Sequence, residues 1–360
     1  MKARNVIALA LALVLALALL SGCGGSSSAS TPASTASSSA SSASASSGSS
    51  TTTEDKPVTL KFSMNTADTS MTGLQYKAFK ELVEEESGGS VTVEIYAAGS
   101  LVDDAGALDA VMDGTCDMAH GMVAYMDGMI KDLTPLEIPG YYSGSDFTAF
   151  CDATNDVLGR IFADYDVKFI GSNFQGQSAF VAVDAAIATP DMLKGQAVRA
   201  AGTYIAKAVE AWGGAPTTVS LADLTTALER KTVNSAYTGI SIVGGFKLYE
   251  MAPHVTFTTI TESYAALIMN MDKWNSLSPS QQAAIERAAE RWKSETFRVG
   301  MEFREQYAKE IKDAGVELLE LDPAATKAFT DLTAPIFTEI EGSLGEKGAE
   351  LLSTLRSLNG

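Results

Sequence analysis

Histidine is nearly missing from this chain, with two in 360 residues, and the three cysteines, Cys23, Cys116 and Cys151, form no C-x-x-C pair. The two histidines, His120 and His254, stand far apart. No cluster of ligands with metal-site spacing is present, and no H-E-x-x-H, P-loop or G-x-S-x-G occurs, so neither a metal nor a cofactor is expected. The common enzyme classes lose their support with them, because no nucleophile, base and orienting group stand in a recognisable arrangement. Basic side chains are scarce too: 26 Lys and Arg face 44 Asp and Glu, a formal net charge of −18. Nucleic acid, whose phosphates require a basic surface, is argued against as a partner. Beyond residue 20 no apolar run approaches the roughly 20 residues that a membrane-spanning helix needs.

What is present begins with a targeting segment. Lys2 and Arg4 precede an unbroken apolar run of fifteen residues from Val6 to Leu20, and Leu20-Ser21-Gly22-Cys23 reads as a lipobox. Residues 1–22 are expected to be a secretion signal, with cleavage before Cys23 and lipidation of its thiol. The alternative is an uncleaved N-terminal anchor. Residues 24–53 are almost entirely Ser, Ala, Thr and Gly. Such a composition buries too little apolar surface to offset chain entropy, so residues 23–56 are expected to be a disordered tether with a span of roughly 30 Å. The expected location is extracytoplasmic, on the outer face of the cell membrane. Cys116 and Cys151 are left as either a disulfide or two buried thiols.

The remaining 300 or so residues exceed one ordinary core and predict two lobes. Val58, Leu60, Phe62 and Met64 alternate as in a strand. A helical stretch from about Thr72 to Glu85, a strand over Val91 to Ala97 and a helix from about Ala105 to Met112 follow. Val167 to Ser172, Phe180 to Val183, Ala197 to Ala200 and Val255 to Thr261 read as further strands, and Tyr204 to Trp212 and Leu221 to Arg230 as helices. The alternation indicates an α/β fold with a largely parallel sheet. Ligands of open α/β sheets sit beyond the strand carboxyl ends, where Asn65, Met122 and Gly202 would fall, with Tyr125 a further candidate to line the cleft from the first lobe. Ser278-Pro279-Ser280-Gln281 is a strong helix start. The apolar spacing beyond it predicts one helix from Pro279 to Asp313, about 52 Å long, or two shorter ones broken near Gly300.

Several weak motifs occur in a specific order. The first half carries SGGSVTVEIYAAGSL, DGTCDMAHG and LEIPG. The second carries IATPDMLKGQAVRAAG, WGGAPTTVSLADLTTALERKTVNSAYTG, KLYEMAPHVT and LIMNMDKWNSLSPSQQAAI. From Leu60 to about Gly315 this order and spacing resembles the solute-binding receptors of TRAP transporters. The resemblance implies a two-lobed periplasmic-binding-protein-like fold with hinge strands and a long C-terminal helix spanning both lobes. Residues 57–177 plus 264–302 would form lobe I, and 178–263 plus 303–360 lobe II. It also implies a small organic acid as cargo and integral membrane subunits as partners, with the chain acting as a monomer and not as an enzyme. A receptor for an ABC importer or a ligand-sensing lipoprotein is the alternative.

The resemblance makes Arg199 the hook for the cargo carboxylate. A guanidinium offers a rigid fork of donors that matches a carboxylate in a bidentate way. The competing role for Arg199 is a structural ion pair between strands. Where the family reads close to V-D-G-x-E-N, this chain has Val233-Asn234-Ser235-Ala236-Tyr237-Thr238, so Tyr237 and Thr238 would offer hydroxyls and an aromatic wall instead of an acid and an amide. Several members carry a second arginine within the stretch that here holds Phe174, Gln175 and Gln177. With one cation in place of two, a monocarboxylate with a neutral, polar or aromatic remainder is expected. Asn65 and Asn270 complete the candidate contacts, Asn270 with the alternative of bonding only backbone. His120, Trp212 and Trp292 are read as core residues.

Overall fold

A computed structural model describes residues 55–142 and 146–358. The signal run, Cys23 and the Ser/Ala tether lie outside the described residues.

From the amino end the chain forms β1 (Val58–Ser63), α1 (Met71–Glu86), β2 (Val91–Tyr96), α2 (Ala107–Met112), β3 (Met118–Met122) and α3 (Val123–Met126). A 3-10 segment over Lys131–Glu137 leads to α4 (Phe147–Ala163) and the long β4 (Val167–Ala182). Next come β5 (Ala197–Ala200), α5 (Thr203–Ala211), β6 (Ala215–Thr218), α6 (Leu221–Glu229), β7 (Ser235–Gly239) and α7 (Ile240–Gly245). The chain returns along β8 (His254–Asn270) and ends with α8 (Met271–Ser276), α9 (Pro279–Asp313), β9 (Glu317–Glu320), α10 (Pro323–Glu341) and α11 (Glu346–Leu358).

The strand order β2-β1-β3-β8-β4-β7-β5-β6, with β9 added to β8, describes two half-sheets hung on one antiparallel ribbon. β1 is parallel to β2 and β3, and β5 is parallel to β6 and β7. β3 joins the distal end of β8, where Met118 faces Met269, whereas β7 joins the distal end of β4, where Ser235 faces Ala182. Each half carries its own helices, one apolar cluster runs from α4 through the ribbon to Trp212 and Phe329, and among the described residues only β4 and β8 cross between the halves as strands. Three register shifts interrupt the ribbon, between Phe169 and Gly171, Phe174 and Gly176, and Gln177 and Ala179. The central one uses Gly176 at φ +95°, a conformation that costs a glycine little and an L side chain much.

α9 ties the halves together on one face. Its start is a complete capping box: Ser278 Oγ accepts from the Gln281 N–H, and the Ser278 N–H donates back to Gln281 Oε1. Ile285, Ala288 and Trp292 pack into the core beneath β1 and β2, and Tyr307 and Ile311 into that of the other half. Trp292 is fully buried and donates to the Gln75 carbonyl at 2.7 Å. A tryptophan buries roughly 200 Å², which at about 25 cal/mol per Å² contributes up to about 5 kcal/mol. The helix runs unbroken through Gly300, because the missing side chain is what lets Phe174 approach. A Cβ there would stand 2.3 Å from the Phe174 ring.

Polar side chains lock this crossing. Gln75 Nε2 donates to the carbonyls of Phe174 and Thr296 at 2.8 and 2.7 Å, and Asn173 Nδ2 donates to Gln75 Oε1 and Thr296 Oγ1 at 3.1 and 2.7 Å. Each of these groups is buried, and the mutual satisfaction offsets the cost of removing them from water.

Candidate functional site

The two half-sheets aim their carboxyl ends at the ribbon's middle. β3 runs toward Ala265 of β8, and β7 runs toward Ser178 of β4. The loops after β1, β2 and β3 thus approach from one lobe and those after β5, β6 and β7 from the other, the usual place for a ligand in such sheets.

Arg199 stands near the carboxyl end of β5, beside Thr217 of β6 and Ala236 of β7. It is only 5% exposed, and its Nε donates to the Val219 carbonyl at 3.1 Å. Burial lowers the guanidinium pKa, and the one opposing influence is electrostatic, from the phenol of Tyr125 on α3. Among the described residues no carboxylate pairs with Arg199, so the structural ion pair considered from the sequence is not formed here. A buried cation in this state is costly.

Thr238 joins Arg199 by register. Ala236 lies beside Arg199 in the parallel pair, and side chains two apart on a strand share a face, which puts Thr238 one step nearer the ribbon on the same face. Tyr237 takes the opposite face. It is 2% exposed, its ring packs on Phe180 and Trp212, and its hydroxyl bonds Ser178 Oγ at 2.7 Å and Thr261 Oγ1 at 2.9 Å. Desolvation pushes that phenol up to about 12. It is part of the hinge packing and presents no open aromatic wall.

The other sequence candidates are dispersed. Phe174 is 1% exposed among Phe147, Phe297 and Gly300. Gln177 donates to Glu262 at 3.3 Å and accepts from Arg304 Nε at 3.0 Å, both within the hinge. Asn65 is exposed on the loop after β1 and donates to Asp104 at 3.0 Å. Asn270 is not brought to this group. It sits at the far end of β8, where its Oδ1 caps α8 by accepting from the Lys273 N–H and its Nδ2 donates to the Val111 carbonyl, both at 2.8 Å. The structure thus gathers Arg199 and Thr238 on one side and Tyr125 on the other.

Two hinge residues escaped sequence reasoning. Arg304 and Glu262 approach Gln177 from α9 and β8, and no local pattern links positions so far apart in the chain. His120 is buried and shares a 2.9 Å hydrogen bond with the Tyr76 hydroxyl; desolvation lowers its pKa. Cys116 and Cys151 are buried free thiols, pushed up to about 11 and about 12 by burial, so the disulfide alternative is not realised. Among the described residues no group of His, Cys, Asp or Glu side chains is placed to hold a metal ion, and no helix is long and apolar enough to cross a membrane.

Two α/β half-sheets on a crossing ribbon, spanned by one helix and holding a buried cation at the carboxyl edge of one of them, define a bilobed binding protein. The chain belongs to the family described as bacterial extracellular solute-binding protein, family 7, the TRAP-type receptors, which matches residues 62–343. It is 24% identical over 306 residues to the 2,3-diketo-L-gulonate-binding periplasmic protein YiaO of Escherichia coli, covering 82% of this chain and 91% of that protein. It is 22% identical over 307 residues to the C4-dicarboxylate-binding protein DctB of Bacillus subtilis, covering 83% and 87%. Among solved structures, the ectoine-binding protein of the TeaABC TRAP transporter of Halomonas elongata superposes with a TM-score of 0.75 at 20% identity, covering 83% of this chain and 98% of that one. The galactonate complex of the sugar acid binding protein DctPAm from Advenella mimigardefordensis gives 0.74 at 19%, covering 84% and 99%.

Proposed function

We propose that this protein is the extracytoplasmic receptor of a TRAP transporter, tethered through lipidated Cys23, that captures a small organic acid and delivers it to integral membrane subunits. The observation that carries the reading is Arg199, a buried guanidinium at the strand ends without a carboxylate partner among the described residues. An incoming carboxylate would supply the missing charge, with the Thr238 hydroxyl beside it. Residues 57–177 plus 264–302 form one lobe and 178–263 plus 303–345 the other. Helix α11, expected from the sequence in the second lobe, instead returns to pack on α4 of the first, where Lys347 bonds Asp164 and the Arg160 carbonyl. Tyr125 and Asn65 close from the first lobe onto an acid held by the second, so ligand stabilises the closed state. Gln177, Phe174 and Tyr237 serve the hinge on which this closure turns.

The relatives are named for binding a diketo-gulonate, C4-dicarboxylates, ectoine or galactonate, which spans several chemistries. For this chain the single uncompensated guanidinium favours one carboxylate on a polar or aromatic body. Thermal shift against a panel of keto, hydroxy, sugar and aromatic monocarboxylates tests the choice. A ligand at a hundred times its Kd stabilises by about 2.7 kcal/mol, a readily measured shift. A monocarboxylate is expected to lead, and a consistently larger shift from succinate or malate refutes the single-carboxylate assignment.

A further inference from the structure

Glu262 is a carboxyl built into the ribbon that joins the two half-sheets. It lies in β8 opposite Gln177 of β4, where the register shift leaves residues 258–261 facing Ser178 alone. The side chain is 1% exposed. Its Oε1 accepts from Gln177 Nε2 at 3.3 Å, and among the described residues its Oε2 meets no donor. The surrounding groups offer no compensating charge at contact. Arg304 of α9 reaches only the far side of Gln177 and is paired with Glu320 of β9, both at 3.0 Å. On the other side stand the phenols of Tyr264 in β8 and of Tyr142 ahead of α4, both pushed up by burial first and by the Glu262 charge second, with Cys151 and Asp146 behind them. Every one of these nearer neighbours is neutral or acidic. Burial accordingly pushes the carboxyl up to about 7.

We propose that Glu262 is a proton-operated latch of the hinge: as the neutral acid it lets the β4–β8 ribbon pack as observed, and on ionising it draws water into the bulge and loosens the lobes. The inference rests on lobe closure, as does the receptor reading, but not on the identity of any ligand. A hydrated glutamate loses its proton near 4.5, and this one near 7. The packed hinge therefore holds an extra proton between those values. Its advantage is complete below 4.5, falls by up to tenfold per pH unit toward 7, and is level above, up to a few hundredfold in all.

The test uses the ligand-free protein. Small-angle scattering and thermal melts at pH 5.5 and 8 compare wild type with Glu262→Gln, and NMR of 13C-labelled glutamate follows the carboxyl in the wild type. Because burial also holds Glu137 up to about 8, the difference between the two proteins is the quantity read. Wild type is expected to expand and lose melting temperature as pH rises, relative to a Glu262→Gln protein that keeps its pH 5.5 dimensions at both values. Parallel wild-type and variant curves overturn the proposal. So does an NMR titration with Glu262 ionising near 4.5, which decides the matter even where the variant fails to fold.

Discussion

A guanidinium withdrawn from water needs negative charge close by, and at Arg199 the fold supplies one carbonyl and a distant phenol. Two consequences separate binding from stability. Arg199→Met removes a desolvated charge and fills much the same volume, so melting temperature is expected to hold or rise. Affinity for the acid should fall by about 3 kcal/mol or more, roughly 100-fold, because the ligand carboxylate would be buried without its partner. Arg199→Lys loses affinity as well, since a point charge lacks the planar fork. Calorimetry with the leading acid, beside melts of the free proteins, checks both; unchanged affinity in Arg199→Met places the acid elsewhere. Arg199 is singled out through the resemblance carried by IATPDMLKGQAVRAAG, and the short strand β5 sets it near a sheet's carboxyl edge. The sequence left Asn270 between the ligand and the backbone, and the backbone alternative is the one formed: Asn followed by Met-Asp-Lys is a helix-cap pattern, and the cap is what the side chain makes. It left Tyr237 open because strand alternation assigns a face only once the neighbours of β7 are known.

At the scale of elements, the start of α9 was legible from its capping box, and of the two readings the apolar spacing left open, one helix to Asp313 or a break near Gly300, the single helix is formed. The ribbon was not. Val167 to Ser172 and Phe180 to Val183 read as two strands because Asn-Phe-Gln-Gly-Gln-Ser between them looks like a loop, yet β4 continues through it. The continuity depends on partners remote in sequence: Gln75 and Thr296 for Asn173, Glu262 for Gln177, and Thr258 for Ser178. The α9 crossing supplies a direct test. Alanine favours a helix over glycine by about 1 kcal/mol, but a Cβ at position 300 would meet the Phe174 ring at 2.3 Å. Gly300→Ala is therefore expected to destabilise by about 1–3 kcal/mol by overpacking, read from chemical denaturation. A net gain in stability would show that Phe174 yields and that the close approach is not what holds α9 to the ribbon.

For the whole molecule, the lobed architecture follows from one topological fact: two parallel half-sheets share only β4 and β8, and α9 spans the junction. Among the described residues, those ahead of β1 meet the fold through Asp55, which accepts from Ser280 and Ser278, and through the Lys56 carbonyl, which accepts from Gln281. Attachment and binding should therefore be separable. Cys23→Ser removes the thiol that would carry the lipid, and two acyl chains are what make such anchoring stable. In cells the variant is expected to leave the membrane fraction and enter the soluble exported fraction. Its unfolding free energy should stay within about 0.5 kcal/mol of wild type, as for a change outside the packed core, and its response to the leading acid should be the same. Retention of Cys23→Ser in the membrane fraction would instead assign attachment to the uncleaved Val6 to Leu20 run. Loss of ligand response on detachment would mean that the leader contributes to the site. Fractionation and a thermal shift on the same preparation distinguish these outcomes, because the first reports only where the chain is held and the second only whether its lobes still close on an acid.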